Sequence, residues 1–293
     1  MAIDPRLKVA ALSLDILTGD TDENLYNAAH VIQRVDRDTD LIVLPELFST
    51  GWQADSTFVD TLAEDFESSP TLAAIRQWAA QRHCAIAGSM LARDNNRHVY
   101  NRAFLVEPSG EVTTYDKHHL FSPGEEKNLI NPGTTQSPII RFRGWNICLS
   151  VCYDLRFPVW SRNRGMRYDL MIYPANWPQK RQNAWKTLLA ARAIENLAYV
   201  IGTNRSGTDQ FGCYDNMTAI YDYIGREIGT TPLRNYPLQG DTLNDDNTLG
   251  DTLPDPDSMI PDIIRYATLD KLALTKFRAD FPVYLDADPF TLA

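Results

Sequence analysis

Glu46, Lys117 and Cys152 each stand at the end of an apolar run, and together they have the residue types needed for acyl transfer. A thiol that attacks a carbonyl needs a base to take its proton. The carbonyl oxygen that turns negative needs a positive charge beside it. A carboxylate and a lysine can supply both. Each residue also has a plainer reading. In NICLSVCYDLRFP (146–158), Ile147, Leu149 and Val151 alternate with Cys148, Ser150 and Cys152, the period-two signal of a strand. A cysteine there is commonly a small buried hydrophobe. However, the apolar run ends at Cys152, and Pro158 restricts how the chain continues. A strand-to-helix turn here would expose the thiol at the C-terminal edge of a sheet and aim backbone N–H groups at a bound molecule. Cys148 lies inside the strand and reads as core.

Glu46 follows Asp40–Pro45, where Pro45 cannot donate to a sheet ladder and so ends the strand near the rim. The residue is either a surface glutamate or a carboxylate that needs a partner to be buried. Lys117 closes VTTYDK and would by default be solvated. His118 and His119 follow it. In an extended chain neighbours point to opposite faces, so a shared metal ion is not expected, and no Cys or His cluster completes a zinc set.

The elements that must place these residues alternate in type. Strands are expected at Lys8–Leu14, Asp40–Glu46, Cys84–Met90, Tyr100–Glu107, Val112–Lys117, Tyr168–Ala175, Ala198–Asn204, Thr218–Gly225 and Ile263–Asp270. Helices are expected at Asp20–Val35, Ser68–Gln81 with Pro70 in its first turn, Lys180–Leu197 and Asp270–Phe281. Helices interleaved with apolar strands imply an α/β domain whose sheet is covered. The chain reads as one domain over residues 1–293, without a linker. Gly240–Ser258 is acidic, turn-rich and aperiodic, and it repeats GDTL. It fits a solvated surface insertion better than a calcium loop.

The 293 residues are 44% hydrophobic and 23% charged, an ordinary globular composition, with a net charge of −10. That balance argues against nucleic acid as a partner. No apolar window suits a signal peptide or a membrane span. Four cysteines without a C-x-x-C pair point to a reducing cytoplasm.

LPELF, YDKHHLF and VCYDLRFPVWSRN resemble the Glu, Lys and Cys motifs of the nitrilase superfamily of carbon–nitrogen hydrolases. ANWP and LLAARAIENLAYVIGTNR resemble its segments after the cysteine, and FRADFPVYLDADPF resembles the C-terminus of a bacterial omega-amidase-like (2-oxoglutaramate amidase) branch. The resemblance implies a four-layer αββα sandwich, commonly a homodimer. It implies Cys152 as nucleophile, Glu46 as general base and Lys117 as the cation at the tetrahedral intermediate. The Tyr153 N–H would be a second oxyanion donor. A second glutamate that orients the lysine would be Glu125 or Glu126, the spacing favouring Glu126. Two departures bear on the pocket and on oligomer contacts: Asn216 and Met217 replace a small polar pair, and the Gly240–Ser258 insertion is additional.

Further candidates follow from position. Asn176 and Trp177 end a strand at the same edge and suit pocket lining. Arg192 and Glu195 are spaced for a helical ion pair. Arg156 either pairs with a nearby carboxylate or, being close to Cys152, clamps a substrate carboxylate. The expected activity is hydrolysis of a small ω-amide, such as 2-oxoglutaramate or succinamate, with no metal or organic cofactor. The alternatives are a nitrile, an N-carbamoyl amine, or an inactive binding homologue.

Overall fold

The computed structural model describes residues 4–214, 217–230 and 264–292. In chain order the first half forms β1 (Arg6–Leu12), α1 (Thr21–Arg34), β2 (Leu41–Val43), α2 (Ser56–Leu62), β3 (Glu64–Asp65), α3 (Pro70–Arg82), β4 (Ala85–Arg93), β5 (Val99–Val106), β6 (Val112–Asp116) and α4 (Glu126–Leu129). The second half forms β7 (Ile140–Phe142), β8 (Trp145–Leu149), β9 (Leu170–Ala175), α5 (Gln182–Asn196), β10 (Tyr199–Asn204), β11 (Gly207–Asp209) and β12 (Gly212–Tyr214). It closes with β13 (Ala219–Tyr221), β14 (Glu227–Ile228), β15 (Ile264–Asp270) and α6 (Lys271–Asp280).

Among the described residues two main sheets form. The first runs β15-β1-β2-β4-β5-β6 with β3 beside β4, and the second runs β14-β13-β10-β9-β8-β7. The central pairs β1/β2, β2/β4, β8/β9 and β9/β10 are parallel. Their strands are therefore buried on both faces, which explains runs such as Leu41–Val43 that lack a polar face. Ala10, Leu12, Ile42, Ile86 and Phe104 pack on Ala28 and Ile32 of α1 and Leu72 and Ile75 of α3. On the opposite face Val9, Leu41, Val43, Ala87 and Leu105 share a core with Ile147, Leu149 and Ile172 of the second sheet. Helix α5 covers that sheet's outer face through Trp185 and Leu189. The order is α–β–β–α, the four layers expected.

Local signals set the helix starts. Asp20 accepts from Glu23 N at 3.1 Å to cap α1, and Ser69 accepts from Leu72 N at 2.9 Å to cap α3, with Pro70 in its first turn. One expected strand is shorter. Thr218–Gly225 stops after Tyr221, because the Asp222 carboxylate accepts from Ile224 N and Arg226 N at 3.0 and 2.9 Å and folds a hairpin onto β14. The β11–β12 hairpin was not expected at all, since Gly207–Tyr214 has no apolar alternation. The expected insertion at Gly240–Ser258 lies outside the described residues, as does Asn216, whereas Met217 is buried.

Gly202 sits where α5 presses on β10. A Cβ there would clash with Leu189 Cδ1 and stand 2.7 Å from Trp185 Cζ2. Gly202→Ala should therefore destabilise by about 1–3 kcal/mol, as overpacking does. Urea unfolding should show a lower midpoint at unchanged slope. An unshifted midpoint would mean that α5 does not pack against this strand as described.

Candidate active site

Pro45 ends β2, and the chain turns sharply at Leu47, whose φ is +46°. Glu46 thus points under the end of the sheet rather than into solvent and is 3% exposed. Its Oε1 accepts from Lys117 Nζ at 2.8 Å and from Asn101 Nδ2 at 2.8 Å, and its Oε2 accepts from Asn176 N at 2.8 Å. Lys117, just after β6, is 1% exposed and donates a second bond of 2.8 Å to Glu126 Oε1. Burial alone would drive the lysine toward its neutral form. Glu126 and Glu46 outweigh that and hold its pKa well above the usual value. Burial raises Glu126 more than Lys117 lowers it, and Glu46 adds to the rise. Glu126 Oε2 also accepts from Phe121 N at 2.6 Å. Glu125 is exposed and hydrogen-bonds Asn128 instead. Of the two candidates, Glu126 is the one that touches Lys117.

After β8 the chain enters a 3-10 turn, Cys152–Arg156. Cys152 has φ +41°, a conformation that L-residues rarely adopt and that recurs where structure is held for function. Two buried groups brace the turn. Asp154, fully buried, accepts from Tyr115 Oη, His119 N and Val151 N at 2.8, 2.8 and 3.1 Å. Arg192 donates to Leu155 O at 2.6 Å while pairing with Glu195 at 3.0 Å, so the expected helical ion pair is also an anchor for the cysteine turn. The Tyr153 N–H is among the unpaired donors at the start of this turn and has no partner among the described residues. The thiol was expected at an exposed edge; it is only 8% exposed, because the turn tucks it beneath the loops rather than onto the rim. Burial pushes its pKa well above the ordinary thiol value, Glu46 pushes further, and Lys117 only partly opposes them. At rest the thiol is neutral, in the same pocket as the Glu46 carboxylate. Cys148 is buried elsewhere, beside Ser137 and Arg167.

Glu46, Lys117, Glu126 and Cys152 line a pocket with Trp52, Phe211 and Tyr214. A second lobe meets it at Cys152 and is lined by Tyr153, Arg156, Asn176, Trp177 and Arg181. Glu46, Lys117, Glu126, Tyr153, Arg156, Asn176 and Trp177 are thus gathered around one thiol. Arg156 has no carboxylate partner among the described residues; its guanidinium lies 4.8 Å from the Trp177 ring centroid. Sequence reasoning missed Asn101, Asp154, Arg181 and the β11–β12 residues Asp209 and Tyr214. For Asn101 a signal existed, a polar residue on the apolar face of β5; for the others there was none. The two histidines also depart from expectation. The chain turns at this point, so the rings meet at 4.6 Å instead of facing apart, but His118 stacks on Trp160 and His119 on Phe157. Among the described residues no group of three His, Cys, Asp or Glu side chains is placed to share a metal ion. No described helix is long and apolar enough to cross a membrane.

The arrangement suits attack of a thiol on a carbonyl, with a base on the thiol and an ammonium near the oxygen. Residues 8–235 match the family described as carbon-nitrogen hydrolase. The chain belongs to that family. Among its relatives, Omega-amidase YafV of Escherichia coli K12 is 36% identical over 288 residues, 98% of this chain and 99% of the relative. Omega-amidase YafV of Yersinia enterocolitica is 40% identical over 223 residues, 75% of this chain and 82% of the relative. In three dimensions the chain is similar to XC1258 of Xanthomonas campestris, a CN-hydrolase superfamily protein with an arsenic adduct in the active site. The TM-score is 0.81 at 33% identity, covering 98% and 99% of the two chains. As a carbon–nitrogen hydrolase of the nitrilase superfamily, this protein is an amidase.

Cys152→Ala should abolish turnover with the fold retained. Cys148→Ala should lower stability by about 1 kcal/mol as a core truncation and leave the rate per folded molecule nearly unchanged. Equal loss of activity in both at matched folding would overturn the assignment.

Glu126 offers a pH test. Its raised pKa means that acid discharges it before an exposed glutamate, and Lys117 then loses one of its two anions. The acid limb of kcat/KM should accordingly lie above the ordinary glutamate value. In Glu126→Gln that limb should shift to lower pH and the plateau should fall by about 10²-fold or more, the scale of one lost electrostatic contact at a transition state. A variant with wild-type plateau and profile would exclude Glu126 from the site.

Proposed function

We propose that this amidase converts small ω-amides of dicarboxylic acids, of the 2-oxoglutaramate or succinamate type, to the acid and ammonia through a thioester on Cys152. The observation that carries the reading is Lys117 held at 2.8 Å from both Glu46 and Glu126 in the pocket that the buried Cys152 lines. A neutral thiol cannot attack unaided, and Glu46 is a carboxylate that lines the same pocket. Glu46 takes the thiol proton as Sγ bonds to the amide carbon. The carbonyl oxygen becomes an oxyanion, facing Lys117 Nζ and the Tyr153 N–H. The intermediate collapses, the C–N bond breaks, and the Glu46 proton leaves with ammonia. Water then gives a proton to Glu46 and attacks the thioester; the carboxylic acid departs, and the proton returns to sulfur.

The substrate class rests on Arg156, which opens into the second lobe with an aromatic ring behind it and no carboxylate partner among the described residues. The omega-amidase relatives support the same choice. A guanidinium left unpaired by a neutral substrate penalises that substrate heavily. The cytoplasm belongs to this reading, since Cys84, Cys148, Cys152 and Cys213 are all free.

Ammonia release across succinamate, 2-oxoglutaramate, butyramide, a nitrile and an N-carbamoyl amine tests the reading. The ω-amides should exceed butyramide by ~10²-fold or more in kcat/KM, as expected when a built polar contact goes unmade. Preference for the nitrile or the carbamoyl compound would replace the substrate class. No turnover of any of the five would favour a binding homologue.

A further inference from the structure

Two half-buried arginines, Arg156 and Arg181, face the lobe beside Cys152, and neither has a hydrogen-bond or ion-pair partner for its guanidinium among the described residues. Other arginines with little exposure are paired: the half-buried Arg102 with Asp116 at 2.7 Å, and the buried Arg192 with Glu195 at 3.0 Å and Arg205 with Asp209 at 3.3 Å. Instead each cation is backed by an aromatic ring: Trp177 at 4.8 Å for Arg156 and Phe121 at 5.2 Å for Arg181. The two are tied together, since Trp177 Nε1–H donates to the Arg181 carbonyl at 2.9 Å. A ring face removes water from one side of a guanidinium and returns only a modest attraction, so its open side still favours an anion. Arg181 lines both lobes and stands at their junction.

The charges lining the cavity make the second arginine necessary. Glu46, Glu126 and Lys117 together carry a net negative charge of one. Asp209 also lines the cavity but is cancelled by Arg205. Arg156 alone would bring the site to neutrality, which gives an anionic substrate no net attraction past the two glutamates. Arg181 makes the site positive by one, the charge that a single substrate carboxylate neutralises. We propose that Arg181 is a second specificity-determining residue, which with Arg156 supplies the charge that admits a monoanionic ω-amide. This deepens the substrate reading above and rests on it.

The test compares wild type, Arg181→Gln and Arg181→Lys on succinamate and on butyramide, its neutral counterpart. Arg181→Gln should reduce the ratio of kcat/KM for succinamate over butyramide at least tenfold, and Arg181→Lys should recover part of it. Trp177 is held by the backbone carbonyl of residue 181, so both variants keep that contact. A fall of equal factor on both substrates, or no change on either, would overturn the proposal while leaving the ω-amide reading in place. If wild type itself does not prefer succinamate, that reading falls. Calorimetry of succinamate with Cys152→Ala, alone and combined with Arg181→Gln, then still decides. At least tenfold weaker binding in the combined variant supports the role of Arg181; equal binding, or none in either, overturns it.

Discussion

A lysine ammonium buried to 1% exposure survives in a protein interior only where anions meet it. Lys117 meets two, Glu46 and Glu126, both at 2.8 Å. The three are mutually dependent. Removing either glutamate leaves a buried charge with one partner, and removing the lysine leaves two carboxylates facing each other. Such a cluster contributes little net stability, because desolvation offsets most of the Coulomb attraction. Its effect is positional. The ammonium is fixed between the strand end at β6 and the turn after β2, and the Glu46 carboxylate is fixed with it.

The same carboxylate joins the two sheets. Glu46 follows β2 of the first sheet, while its Oε2 accepts from Asn176 N at 2.8 Å, just after β9 of the second. Glu46 is thus a cross-sheet tie, at the edge where both sets of parallel strands end. Opposite it, Asp154 and Arg192 hold the cysteine turn from below and behind, and the turn holds Cys152 at φ +41°. Placing Cys152 in an unfavoured backbone conformation needs surrounding bonds that leave no easy relaxation. Here they come from a buried carboxylate with several donors and a buried guanidinium on a carbonyl.

The periodicity of the apolar runs disclosed most of the strands and the main helices, because a two-residue or 3.6-residue repeat is a local property. The motif residues were legible for a related reason: a proline, a charge or a thiol that interrupts an apolar run marks a strand end. Contacts between segments distant in sequence were not legible. Asn101 reaches Glu46 across 55 positions, and Asn176 reaches it across 130. Nothing local told that Arg181 would share a lobe with Arg156, or that a hairpin at Gly207–Tyr214 would wall the cavity. The extended-chain rule misplaced His118 and His119 because the segment turns. The expectation of an exposed thiol failed because loops close over the sheet edge that was correctly located.

The dependence of all this on one covalent event can be observed directly. Mixing the enzyme with succinamate, quenching in acid within a turnover and analysing peptides by mass spectrometry would locate any acyl group. The expected result is a transient succinyl adduct on the peptide containing Cys152, at that sulfur, absent from Cys152→Ala. An adduct on Cys148, or steady turnover of succinamate with no acylated cysteine at any quench time, would contradict the nucleophile and with it the role assigned to the Glu46–Lys117–Glu126 cluster.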